Sequence, residues 1–216
     1  MAELMIAGIA PVKLKKGWFE LDIKGKPPFL IDEETLVKNG LTRGAIISEA
    51  KWKRVKDAAD LAWLKYRGMQ ILSRRMISER DLRRKLSAER KSSALRDEAI
   101  ALLKSYGFYD DSRYAAALVR SQMARGVKSR LYLKKKLRER GIDEETAGLA
   151  ISAELAECDE TSAVIELAAK KYRTLGNLTS EKARSRLINF LRGKGFSWDI
   201  IREAVNKTTA PEKDDY

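Results

Sequence analysis

Arg130, Lys134 and Arg138 recur at every fourth position of a stretch in which Leu133 and Leu137 do the same. Wound as a helix, the stretch puts both leucines on one face and a row of three cations on another, with Lys135, Lys136 and Arg140 widening the row. Residues 78–89 repeat the arrangement, with Arg80, Arg83, Arg84 and Lys85 around Leu82 and Leu86. Rows of cations a few ångströms apart suit a phosphate backbone. Each neutralised phosphate releases a condensed counterion and contributes roughly −0.9 to the log–log salt slope on duplex DNA. Charge and helical phase therefore select Arg80, Arg83, Arg84, Arg113, Arg120, Arg130, Lys134 and Arg138 as the candidate contacts to nucleic acid or a partner. For any one of them a solvated helix face is an equally good account, since Lys and Arg are good helix formers. That account weakens for the blocks as wholes.

Residues 65–91 hold ten basic and three acidic side chains, and so do residues 110–142, whereas 143–169 hold eight acids and no base. Across the 216 residues, 44 Lys+Arg face 31 Asp+Glu, giving +13 and a pI near 9.8. A surplus of this size favours a polyanionic partner. Within the acidic block, Asp143, Glu144 and Glu145 follow Gly141, where they favour a helix N-terminus. Glu154, Glu157, Asp159 and Glu160 exceed what capping requires. They are a solvated face, rest on the protein's own basic surface, or meet a basic partner. Tyr66, Tyr109, Tyr114 and Tyr132 lie among the cations, as in single-strand binders. Tyr114 falls on an apolar stripe and reads as core, and none of the four is assigned a stacking role.

Other chemistries drop out. There is no histidine, which removes imidazole acid–base steps, Ser-His-Asp triads and His-ligated metals. The single Cys158 forms neither an internal disulfide nor a Cys-rich zinc site. Gly126-Val127-Lys128-Ser129 resembles the end of a phosphate-binding loop but lacks the earlier glycine and the preceding strand. Asp110-Asp111 fits a helix cap better than a metal site. No catalytic constellation and no cofactor site emerges. The first eighteen residues are too short in apolar run for a secretory signal, and no stretch approaches a membrane span. The expectation is a non-enzymatic, cytoplasmic, monomeric protein without a membrane role.

The elements that must carry these residues are mostly helical. Trp18–Ile23 and residues 29–31 read as paired strands, and Asp32 caps a short helix closed near Asn39-Gly40. Ala45-Ile46-Ile47 is another short apolar run, so residues 1–54 form a small α/β appendage. From about Ser48 apolar residues fall at helical spacing. Ser78 reads as an N-cap, Gly107 as a helix stop, Asp110-Asp111 as the next cap and Gly126 as a break. A shift of 54 lays Leu133, Leu137, Gly141 and Ile142 over Leu187, Leu191, Gly195 and Phe196, and a shift of 51 lays Leu82 and Leu86 under Leu133 and Leu137. Three three-helix repeats follow, at 55–109, 110–157 and 158–207, with a frayed tail at 208–216. The fold class is mainly α: a tandem array expected to be elongated and curved, with the strand-containing appendage at its start.

The run Gly107-Phe108-Tyr109-Asp110-Asp111-Ser112-Arg113-Tyr114-Ala115, followed by Val119-Arg120, Gly126, Leu133, Leu137 and Arg138-Glu139-Arg140-Gly141-Ile142, resembles the RecX family of recombinase regulators. Arg140 stands where that family usually has Lys. Ser78, Leu82 and Leu86 match its first repeat, and the third matches by pattern. The resemblance implies a modulator of RecA that lies in the groove of the RecA–DNA filament. There it would suppress strand exchange, ATP hydrolysis and the co-protease activity behind the SOS response; some members also bind DNA. The competing reading from charge alone is a stand-alone, sequence-nonspecific DNA-binding helical protein. An enzyme acting on nucleic acid is disfavoured by the residue inventory.

Overall fold

The computed structural model describes residues 3–156, 158–176 and 179–209. The chain divides into two units, Met1–Asp110 and Asp111–Tyr216, each built around its own apolar clusters.

The first unit opens with an antiparallel sheet. Its strands are β1 (Glu3–Pro11), β2 (Trp18–Ile23), β3 (Phe29–Asp32) and β4 (Ile46–Ser48), in the order β3-β2-β1-β4. The expected strand pair is β2–β3, with Trp18 opposite Asp32 and Leu21 opposite Phe29. The short run at 46–48 is an edge strand pairing with β1 through Leu4 and Ile47. Sequence reasoning did not anticipate β1. Its register on β2 shifts between Ile6 and Gly8, and such a bulge blurs the two-residue alternation that marks a strand. Helix α1 (Glu33–Lys38) is short, its Asp32 carboxylate accepting from the Thr35 N–H at 3.2 Å.

Helix α2 (Glu49–Leu72) is the structural spine of this unit. Ser48 caps it by accepting from the Lys51 N–H. At 1.5 Å per residue its 24 residues span about 36 Å. Trp52, Val55 and Ala59 in its first half bury against the sheet with Ile6, Leu21, Ile23 and Ile31. Leu64 and its neighbours in the second half join Leu82, Leu86, Ile100 and Leu103. The 54/55 boundary taken from the span of the repeats thus falls inside one unbroken helix. Gly68 lets α2 approach α4 (Ser93–Ser105), since a Cβ on it would overlap Leu103 Cδ1. Between them lie α3 (Glu79–Leu86) and a 3-10 turn at Ser87–Glu89.

The second unit holds two three-helix groups: α5 (Asp111–Met123), α6 (Arg130–Glu139) and α7 (Glu144–Glu154), then α8 (Glu160–Arg173), α9 (Ser180–Gly193) and α10 (Trp198–Thr209). The middle helix of every group carries the anticipated leucine pair, namely Leu82/Leu86, Leu133/Leu137 and Leu187/Leu191, none more than 1% exposed. Trimming one to Ala costs roughly 2–5 kcal/mol. Gly107, Gly141 and Gly195 follow their helices at φ +72°, +81° and +80°, the left-handed closure that glycine adopts without strain. The architecture is therefore mainly α, three-helix domains in tandem behind a small sheet. One detail departs from the repeat alignment. Ser129 caps α6, but its counterpart Ala183 is buried inside α9, which starts a turn earlier at the Thr179 cap. The tail expected to fray from 208 is helical through Thr209, and residues 210–216 lie outside the described residues.

Candidate nucleic-acid and partner interface

Burial of Leu133 and Leu137 fixes the phase of α6, so Arg130, Lys134, Lys135 and Arg138 all come out exposed. The Ser129 hydroxyl accepts from the Tyr132 N–H at 3.0 Å and sets where that phase starts. Lys134, Lys135 and Arg138 line a groove of about 340 Å³ between α6 and α7, whose apolar lining is Leu131, Ile142 and Ala147. Leu131 is 67% exposed, so the groove offers a cationic rim beside an apolar floor.

The acidic stretch after 142 turns back onto this basic surface. Glu144 lies 3.6 Å from the Lys134 ammonium. Glu160 lies 3.5 Å from the Arg130 guanidinium and also accepts from the Arg130 N–H at 3.4 Å, where the helix dipole favours an anion. Glu154 on α7 pairs with Arg120 on α5. Of the readings open for the acids, resting on the protein's own cations is the one realised at Glu144, Glu154 and Glu160. Glu157 lies outside the described residues. Exposed pairs of this kind contribute about 0–1 kcal/mol each, so a phosphate can exchange for the carboxylate at little cost.

In the first unit α3 presents Arg80, Arg84 and Lys85 to solvent around buried Leu82 and Leu86. Arg84 contacts Asp81 at 2.9 Å. Arg83 is held by Glu79 and Asp97 at once, and the hydrogen bond to Glu79 raises its pKa further. Arg83 is thus a strut between α3 and α4 rather than an open phosphate ligand. Arg113 on α5 is exposed. The predicted set resolves into Lys134 and Arg138 on one groove, Arg120 and Arg130 covered by acids, Arg113 elsewhere on the second unit, and Arg80, Arg83 and Arg84 on the first.

The tyrosines separate as well. Tyr109 is 6% exposed and donates its hydroxyl to Glu79 at 3.0 Å, which makes it core. Tyr114 packs on the second group's cluster. Tyr66 accepts from the Gln70 amide at 2.7 Å and leans on Trp18 and Trp63. Tyr132 has Lys128 and Lys136 each 5.7 Å from its ring centroid, a cation–π arrangement. Lys136 also bonds Glu139 at 2.8 Å, which holds the ammonium pKa above its ordinary value. Among the described residues no group of three or more Cys, Asp or Glu is placed to hold a metal ion. No described helix is long and apolar enough to cross a membrane.

Residues 110–157 match the model of the second three-helix domain of RecX, and residues 159–205 match that of the third. The resemblance to the RecX family thus runs through two consecutive three-helix domains. The regulatory protein RecX of Clostridium acetobutylicum is 24% identical over 212 residues, covering 96% of this chain and 97% of that one. The regulatory protein RecX of Streptococcus pneumoniae is 28% identical over 92% of this chain and 76% of its own length. A crystal structure of regulatory protein RecX superposes with a TM-score of 0.74 at 25% identity, over 92% of this chain and 97% of that one. The RecX structure from Lactobacillus salivarius, 22% identical, covers 70% of this chain and 97% of its own at a TM-score of 0.63, a likeness of fold.

Proposed function

We propose that this protein restrains the RecA recombinase. It binds the RecA–DNA filament, lies in the filament groove, and lowers strand exchange, ATP hydrolysis and SOS co-protease activity. The observation that carries this reading is the near full-length match to proteins named regulatory protein RecX, with both family domains found where the three-helix groups lie. The α6–α7 groove supports it: a cationic rim approaches filament DNA while exposed Leu131 offers an apolar contact to protein. The protein acts as a cytoplasmic monomer, without catalysis of its own.

Purified protein added below stoichiometry to RecA on single-stranded DNA should depress DNA-dependent ATPase and strand exchange. Unchanged rates, under conditions that support both activities, would remove the proposal. The basic α6 surface also favours a second reading, independent DNA binding. That reading predicts tight, steeply salt-dependent binding without RecA and no preference for filament over bare DNA. Arg130→Glu, Lys134→Glu and Arg138→Glu together should weaken DNA binding and flatten its salt slope by about one unit per lost contact.

A further inference from the structure

Two exposed aromatic rings in the first unit lie outside the sites described above. Tyr106 is 61% exposed and Phe108 is 45% exposed, with ring centroids 6.4 Å apart and planes at 86°. The backbone holds them there. Tyr106 is the C-cap of α4, and Gly107 at φ +72° turns the chain back. The Gly107 N–H donates to the Lys104 carbonyl at 2.9 Å and the Phe108 N–H to the Leu103 carbonyl at 3.0 Å, the paired bonds of a Schellman closure. In that motif the residue at Phe108's place commonly packs its side chain back onto the helix; here nearly half of it remains exposed. The closure therefore fixes where the two rings leave the backbone, and neither is core.

One cation lies against Tyr106, and a second, Lys104, precedes it by two residues on α4. The Lys65 ammonium lies 6.0 Å from the Tyr106 ring centroid. Lys104, 65% exposed, touches its nearest carboxylate, Glu79, only at 4.0 Å. Met69, one turn beyond Lys65 on α2, is 43% exposed and adds a soft apolar surface. The neighbouring stretch 65–91 carries ten basic and three acidic side chains.

We propose that Tyr106 and Phe108, with Lys65 and Lys104, form a base-stacking site for single-stranded nucleic acid. An anionic ligand is selected by the cations and flat π-faces by the rings; a single strand supplies both, whereas a duplex hides its base faces in the stack. This site is separate from the α6–α7 groove and does not depend on RecA.

The test compares a labelled oligothymidylate with an abasic oligonucleotide of equal length and charge, titrated into the full chain without RecA. Wild-type protein should prefer the base-bearing strand by between about 5- and 150-fold for each stacked base. Tyr106→Leu with Phe108→Leu keeps apolar bulk and removes the rings; it should lose the preference while retaining abasic affinity, which also reports an intact fold. Lys65→Ala should weaken both ligands. Equal wild-type affinity for the two strands, or a preference that survives in the ring-less variant, overturns the proposal; the first result would point to the rings as a protein contact.

Discussion

The Ser129 hydroxyl donates to the Lys194 main-chain carbonyl at 3.0 Å while accepting from the Tyr132 N–H at the same distance. One side chain, 2% exposed, thereby starts α6 and fastens it to the end of α9, sixty-five residues on. Inside the second unit this polar link joins the middle helices of successive groups.

Ser129→Ala removes both roles and leaves a poorly solvated carbonyl at Lys194. Loss of the cap and of a buried hydrogen bond should together cost about 2 kcal/mol. Urea denaturation followed by far-UV circular dichroism reads this as a lower midpoint at unchanged slope. Ser129→Thr, which keeps the hydroxyl, should recover part of the loss.

Gly195 packs against the same hydroxyl. A Cβ there would sit 2.9 Å from Ser129 Oγ, on a backbone at φ +80°. Gly107 has a similar φ of +72° but nothing within 4 Å of its virtual Cβ. Gly107→Ala should therefore cost only backbone strain, about 1–2 kcal/mol, and Gly195→Ala roughly 1 kcal/mol more. Equal costs in thermal denaturation would mean that the Ser129 contact contributes nothing.

Glu154 and Glu160 occupy cations that a phosphate would otherwise use. Glu154→Gln with Glu160→Gln should raise affinity for nucleic acid roughly 2- to 5-fold at low salt and steepen the salt slope, since weak exposed pairs no longer compete. Fluorescence anisotropy at two salt concentrations measures both. A lower affinity for RecA in the same variant would instead identify these acids as contacts to a basic partner.

Glu89 provides a pH signature. Burial disfavours its charge, but hydrogen bonds from the Arg67 guanidinium at 2.8 Å and the Trp63 indole at 2.7 Å outweigh that and hold its pKa below the ordinary 4.5. Between that value and the lower folded one, the unfolded chain binds more protons. Stability from this site is thus complete above about pH 4.5 and is lost as pH falls through the folded pKa. Acid titration of Trp fluorescence should show the loss, and Glu89→Gln should be less stable at neutral pH with a flatter acid limb.

What the sequence disclosed was local. The Ser78 cap, the paired leucines and the closing glycines act within a single turn of chain, so spacing alone reveals them. Strand β1 was missed because its pairing with Ile23 and Ile47 lies far along the chain and a bulge breaks its alternation. The earlier start of α9 was missed because the N-cap position falls on Thr179, whose side chain makes no capping hydrogen bond, rather than on the Ser129 counterpart. At the surface, helical phase located the cations of α6, but Arg120 and Arg130 meet carboxylates 34 and 30 residues away, which no periodicity displays. The exposure of Tyr106 and Phe108 was not legible because a hydrophobic residue beside a helix-stopping glycine ordinarily reads as a capping contact; only solvent exposure distinguishes a presented ring from a packed one.

Helix α2 leaves the sheet no seam along which to part from the first helical group. With Trp52, Val55 and Ala59 seated under the strands and Leu64 in the following cluster, one rod is rooted at both ends. A cut after residue 54 would bare half of that stripe, so the strands are no detachable ornament. The two should melt as one cooperative block, and descent should gain or lose them together with the helix they share.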